Sequence, residues 1–156
     1  MLHVNRGLIR KIVLLFVVIV ITPPCFSGSP ESATSVLKNA SFYNTGSAGP
    51  ADAPSAYAEP YKMLLDTGTV VEMKKLFEEG SSAGKLYALT ALQQKDENEL
   101  REVLQGFNFS KYSSPVVIQN GGVGSAVSFV DGIRYVIKPQ FWKYLPKPKG
   151  DKSKNE

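Results

Sequence analysis

A single histidine and a single cysteine are all that this 156-residue chain contains, and both, His3 and Cys25, stand near its beginning. From residue 28 onward there is neither. Without histidine that part of the chain cannot build a Ser-His-Asp or Cys-His relay, nor an imidazole-ligated metal site. Without cysteine it has no disulfide, no thiolate zinc site and no thiol nucleophile. A small domain in this position has to hold together by packing rather than by cross-links.

Acid is the next shortage. Residues 1–27 carry Arg6, Arg10 and Lys11 and no acidic residue. One unbroken apolar run follows, Ile12 to Ile21, and then Thr22-Pro-Pro-Cys-Phe-Ser27. Positive, then apolar, then helix-breaking and small is the order of a secretory signal peptide. A run of about ten residues is too short to span a bilayer, which takes roughly 18 or more. Stretched back to Leu8 as an uncleaved anchor, it would have to bury two charges. Pro23 and Pro24 end any helix, because proline lacks the donor and clashes with the preceding turn. The expected cut falls after Ser27, and no transmembrane helix remains after it. Cys25 would be a lipid-bearing cysteine only in a lipoprotein box, and Thr22-Pro23-Pro24 is a poor match to the small residues such a box needs.

Cleavage changes the charge balance. The whole chain has 18 basic and 14 acidic residues, and the signal removes three of the bases, leaving 15 against 14. Nucleic-acid binding needs a basic field that neutralises phosphates. That field is mostly export signal here, so nucleic acid is not an expected partner.

The remainder divides by composition. Residues 28–56 are rich in Ser, Ala, Gly, Pro and Asn, with Val36-Leu37 and Phe42-Tyr43 as the only apolar pairs, and read as a flexible approach whose ordering entropy is not offset by burial. Residues 147–156 alternate Lys with Pro, Gly, Asp and Ser and read as a disordered basic tail. Between them, 57–146 is enough chain for one core.

Its first half is helical by period. Tyr57 to Leu65 forms a short helix; Thr69 and Glu72 make a capping box before Val70, Met73, Leu76 and Phe77, and Gly80 closes that helix with a left-handed cap. Ser81 or Ser82 caps a third helix with Leu86, Leu89 and Leu92 on one stripe; Asp96 caps a fourth that ends at Gly106. The second half turns to strands. Val116-Val117-Ile118 is one, with Asn120 to Gly124 leaving it, and Asp131-Gly132 reads as a two-residue hairpin turn pairing Val130 with Ile133. The expected fold is therefore α+β: four short helices in antiparallel hairpins, then a two- to three-stranded antiparallel β-sheet.

Few motifs carry chemistry. Ser82-Ala-Gly-Lys85 matches Ser-x-x-Lys, in which a lysine one turn after a serine can share its face and take its proton. Its companions, Ser-Asp-Asn and Lys-Thr-Gly, are missing, and capping by Ser82 with Lys85 on a solvent face explains both residues. Gly121-Gly-Val-Gly124 lacks the lysine and following helix of a phosphate loop. Glu78-Glu79 and Asp96, Glu97, Glu99 and Glu102 sit at helix ends, where carboxylates are solvated or stabilise the helix. No metal site and no cofactor are implied. Asn39-Ala-Ser41 and Asn108-Phe-Ser110 fit the N-glycosylation acceptor, which matters only in a host that glycosylates exported asparagines. The aromatic stretches Phe107, Phe109, Tyr112 and Phe141, Trp142, Tyr144 are the partner-binding candidates, because so small a core cannot enclose every ring.

Thr69 to Gly106, and above all Gly84-Lys-Leu-Tyr-Ala-Leu-Thr-Ala-Leu92, resembles the helical hairpins of HEAT-like repeats, and the helical segment of small uncharacterised exported bacterial proteins. The first likeness implies a binding surface and transfers no catalytic residue. Two function classes follow. One is a periplasmic or secreted, non-catalytic interaction protein that binds a protein or cell-envelope component. The other is a small hydrolase using Ser82 and Lys85, or carboxylates alone.

Overall fold

A computed structural model of the chain describes residues 29–44, 55–120 and 123–147. The expected signal peptide, the stretch 45–54 and all of the basic tail but Lys147 lie outside the described residues. The elements run α1 (Pro30–Lys38), β1 (Tyr43–Asn44), α2 (Ala58–Thr67), α3 (Val70–Glu79), α4 (Ser82–Lys95), α5 (Glu97–Gly106), β2 (Val116–Asn120), β3 (Val123–Val127) and α6 (Phe129–Val136). Short 3-10 turns follow α5 (Phe109–Lys111) and α6 (Pro139–Tyr144). The class is α+β, and no helix among the described residues is long and apolar enough to cross a membrane.

The four expected helices form, three of them where side-chain caps place them. Thr69 and Glu72 close a reciprocal box at the start of α3, the Thr69 amide donating to the carboxylate at 2.7 Å and the Glu72 amide to Thr69 Oγ1 at 3.2 Å. Asp96 ends α4 and begins α5, its carboxylate accepting from the Asn98 and Glu99 amides. Gly80 ends α3 in extended backbone (φ −76°), not in the left-handed cap expected.

α4 organises the rest. Every residue from Ala83 to Leu92 is buried, so the helix has no polar face and must be enclosed on all sides. It packs most extensively on α3 and also meets α1, α2, α5, α6, β1 and β2. The two polar groups caught inside are satisfied locally: Thr90 donates to the carbonyls of Leu86 and Tyr87, and Lys85 reaches the end of α3.

Three expectations are corrected. The described part of the supposedly flexible 28–56 segment is ordered and docked, with Ser29 capping α1, Pro30 at its first position and Ala33 and Leu37 fully buried. Its composition carries too little apolar area to betray the helix, and the contact that holds it is distant in sequence. The α1 terminus is stitched to the start of α4: the Ser81 amide donates to the Lys38 carbonyl (2.8 Å) and Ser81 Oγ to the Ala40 carbonyl (2.6 Å). Gly84 permits this, since a Cβ there would lie 2.5 Å from the Leu37 carbonyl oxygen.

Second, Asp131-Gly132 is not a hairpin turn. It lies in the first turn of α6, where Ser128 caps the Asp131 amide at 3.1 Å and hydrogen-bonds its carboxylate at 2.6 Å. Phe129, Ile133 and Ile137 bury themselves at helical spacing. Gly132 serves close approach rather than a turn, for a Cβ would meet Val116 Cγ1 at 2.6 Å. Third, the sheet is mixed. The antiparallel hairpin joins β2 to β3 (Ile118 opposite Ser125), and β1, from the supposed approach, adds to β2 in parallel (Tyr43 opposite Ile118).

Gly84→Ala should overpack the α1–α4 junction and cost about 2 kcal/mol, a fall of roughly 4–8 °C in Tm for a chain of this size. Gly106→Ala, with nothing within 4 Å of the new Cβ, should be neutral or stabilising by up to ~1 kcal/mol. Thermal melts of the two variants check both, and an unchanged Tm for Gly84→Ala would remove the evidence that α1 is docked.

Candidate functional site

The Ser-x-x-Lys pair comes out differently from either expectation. Ser81, not Ser82, caps α4, because its hydroxyl accepts from the Gly84 amide. Ser82 pairs instead with Tyr112, hydroxyl to hydroxyl at 2.9 Å. Lys85 is not on a solvent face. Only 5% of it is exposed, because α4 has no solvent face along this stretch.

Its ammonium donates to the carbonyl of Phe77 and, at 2.9 Å, to that of Glu78, in the last turn of α3. Carbonyls there have no partner within their own helix, and the helix dipole favours a cation beside them. The Phe77 and Tyr112 rings flank the charge at 5.3 and 5.5 Å, adding cation–π attraction. Burial lowers the Lys85 pKa below the ordinary lysine value, and the Glu78 charge opposes that shift. A serine-activating lysine must be neutral, with its lone pair turned to the hydroxyl. Here the nitrogen faces acceptors that hold its protons, and Ser82 is engaged elsewhere.

The carboxylates are similarly engaged or exposed. Glu99 pairs with Lys74 at 2.7 Å, Glu97 with Lys138 at 2.7 Å and Glu79 with Lys38 at 2.8 Å, while Asp96 caps α5. No group of three or more His, Cys, Asp or Glu able to hold a metal ion occurs among the described residues.

The aromatic candidates divide. Phe107, Phe109 and Tyr112 are half-buried in one ring cluster with Phe77 and Phe129, at centroid distances from 4.5 to 5.9 Å. Phe141 is buried and Tyr144 half-buried with Lys143 over its ring, whereas Trp142 is 43% exposed. A second cluster joins Tyr43, Tyr57 and Tyr61 to Tyr87, whose hydroxyl accepts from the Asn44 amide at 3.0 Å. Burial pushes the Tyr87 pKa up to about 12 and that of Tyr43 further in the same direction.

Sequence reading did not single out two exposed apolar side chains. Val123 is 70% and Tyr135 58% exposed, and both line a groove of about 330 Å³ between the hairpin and α6, floored by Ile118 and Val127. Reading Ala126 to Val130 and Ile133 to Ile137 as the two strands of a hairpin hid this, because it gave Tyr135 a place in the sheet instead of on a helix beside it. A second groove, between α1 and α3, is lined by charges of both signs and crossed by the Lys38–Glu79 pair. No protein-family model matches the chain, and neither does any curated protein or solved structure.

Lys85→Met should leave two helix-end carbonyls unsatisfied and cost about 2 kcal/mol, while Ser82→Ala should cost under ~1 kcal/mol. Chemical denaturation measures both. Equal, small effects would mean that the ammonium does not hold the end of α3.

Proposed function

We propose that the chain works outside the cytoplasm, in the periplasm or secreted, as a non-catalytic interaction protein that binds a protein or cell-envelope component. The observation that carries this reading is the engagement of Lys85. Its ammonium is spent on the Phe77 and Glu78 carbonyls, which leaves the one motif with nucleophilic potential without a base. The absence of histidine and cysteine beyond residue 27 supports it from the other side.

What the surface offers is contact. Trp142, Tyr135 and Val123 present apolar area to solvent, and large aromatic side chains of this kind are the usual anchors of protein interfaces. The helical hairpins that resemble HEAT-like repeats serve in this reading as a scaffold that holds those side chains in place. Export rests on the basic, apolar and proline-bearing order of residues 1–27.

Cross-linked capture of the exported protein from its own host, with mass spectrometry of what accompanies it, tests the proposal. The expected result is one stoichiometric partner, weakened roughly 10- to 30-fold by Trp142→Ala or Tyr135→Ala and unaffected by Ser82→Ala. Recovery of the protein alone, under conditions that capture other envelope complexes, contradicts it. So does a hydrolytic activity lost in both Ser82→Ala and Lys85→Met.

A further inference from the structure

We propose that two copies of this chain pair through the outer edge of β3, antiparallel and centred on Ser125, to form one continuous sheet. The self-association draws on Val123 and Tyr135, two of the side chains that the proposed function offers for contact, and names a second copy as what Val123 meets.

The sheet order is β1-β2-β3, so one long side of β3 lies at the margin, and β3 packs chiefly on β2. A margin strand carries unpaired amide and carbonyl groups that template another strand, and proteins that avoid such pairing place lysine, proline or a bulge there. β3 has none of these guards. Its sequence is Val-Gly-Ser-Ala-Val, and no charged residue stands anywhere between Lys111 and Asp131.

The same five residues say which strand fits. Read in either direction, they run valine, small, serine, small, valine. In an antiparallel pair about Ser125, Val123 of one copy faces Val127 of the other, Gly124 faces Ala126, and the two serines meet on the axis. Such a two-fold contact uses one patch twice and closes on itself, the commonest form of assembly. A foreign strand would find no charge on this edge to select it, whereas a second copy matches it residue for residue.

The register with β2 supplies the apolar contribution. Val123, Ser125 and Val127 oppose Asn120, Ile118 and Val116, so they lie on the face that carries the buried Val116 and Ile118. Val123 nonetheless stays 70% exposed at the hairpin tip, beside Tyr135. Pairing brings Val127 of the second copy against it. The two grooves then join across the axis into one apolar floor with a Tyr135 at each end.

Disulfide mapping in the full chain tests this, on a Cys25→Ser background that leaves the introduced cysteine as the only one. Ser125→Cys should form a covalent dimer under mild oxidation on the order of tenfold faster than the exposed control Val71→Cys, because the two thiols face each other on the axis. Val123→Cys and Val127→Cys should link poorly alone and efficiently when mixed. Ser125→Lys, which sets two like charges together, should sediment as a monomer with an unchanged circular dichroism spectrum. The proposal is overturned if Ser125→Cys links no faster than Val71→Cys, if mixing gives no gain, or if Ser125→Lys sediments as the parent chain does. A parent chain that is monomeric at high micromolar concentration overturns it as well, whether or not the edge then accepts an added extended peptide.

Discussion

The enclosure of α4 is the constraint on which the rest of this structure depends. A helix buried from Ala83 to Leu92 gains apolar contact on every side, and it is covered by elements drawn from across the described residues, α1 to α6. That requirement draws α1 and β1 in from the N-terminal side and α6 in from the C-terminal side. It also sets strict terms on polarity. Lys85 and Thr90 are the polar residues caught in the core, and each finds carbonyl acceptors nearby, one in its own helix and one in α3. No buried side-chain nitrogen or oxygen among the described residues is left without a partner. Close approach is arranged with equal economy, Gly84 receiving the α1 terminus and Gly132 receiving Val116.

In the proposed reading, function is displaced to the surface by the same constraint. A Ser-x-x-Lys motif on an exposed helix would leave the amine free to titrate against the hydroxyl. On an enclosed helix the amine needs acceptors, and the nearest are the orphan carbonyls of α3. Once bound there, Lys85 contributes to the joint between two helices, and Ser82 falls to Tyr112. The proposed function therefore rests on contact: a tryptophan, a tyrosine, a valine and an uncharged strand margin, all at the surface.

How much of this could be read from the sequence differs by element, for physical reasons. The helices from α2 to α5 were legible from local signals, an apolar stripe in each and a cap in all but α2, as Thr69-x-x-Glu72 and Asp96-x-x-Glu99 show. α1 was not, since its two buried residues, Ala33 and Leu37, amount to little until α4 supplies a surface with a glycine at the point of contact. At Asp131-Gly132 two local signals competed. The dipeptide suggests a turn, whereas Ser128-x-x-Asp131 with Phe129, Ile133 and Ile137 suggests a capped helix, and the helix prevails because it buries three large side chains. The candidate site failed for a related reason. Spacing placed Ser82 and Lys85 on one turn, but burial decides what an amine does, and the burial of α4 comes from the assembled fold. Tyr135 became visible as a surface residue only after its segment was seen as helix.

Native-state hydrogen exchange resolved by residue tests the central claim most directly. If α4 is enclosed by elements from both ends of the chain, the amides of Leu86 to Leu92 should exchange only through global unfolding. Those of Ala33 to Lys38 and of Ile133 to Val136 should be protected with them, or by only a few kcal/mol less. Exchange of the α1 amides at the rates of an unstructured peptide, beside a protected α4, would contradict the account, because one side of the central helix would then have no lasting cover.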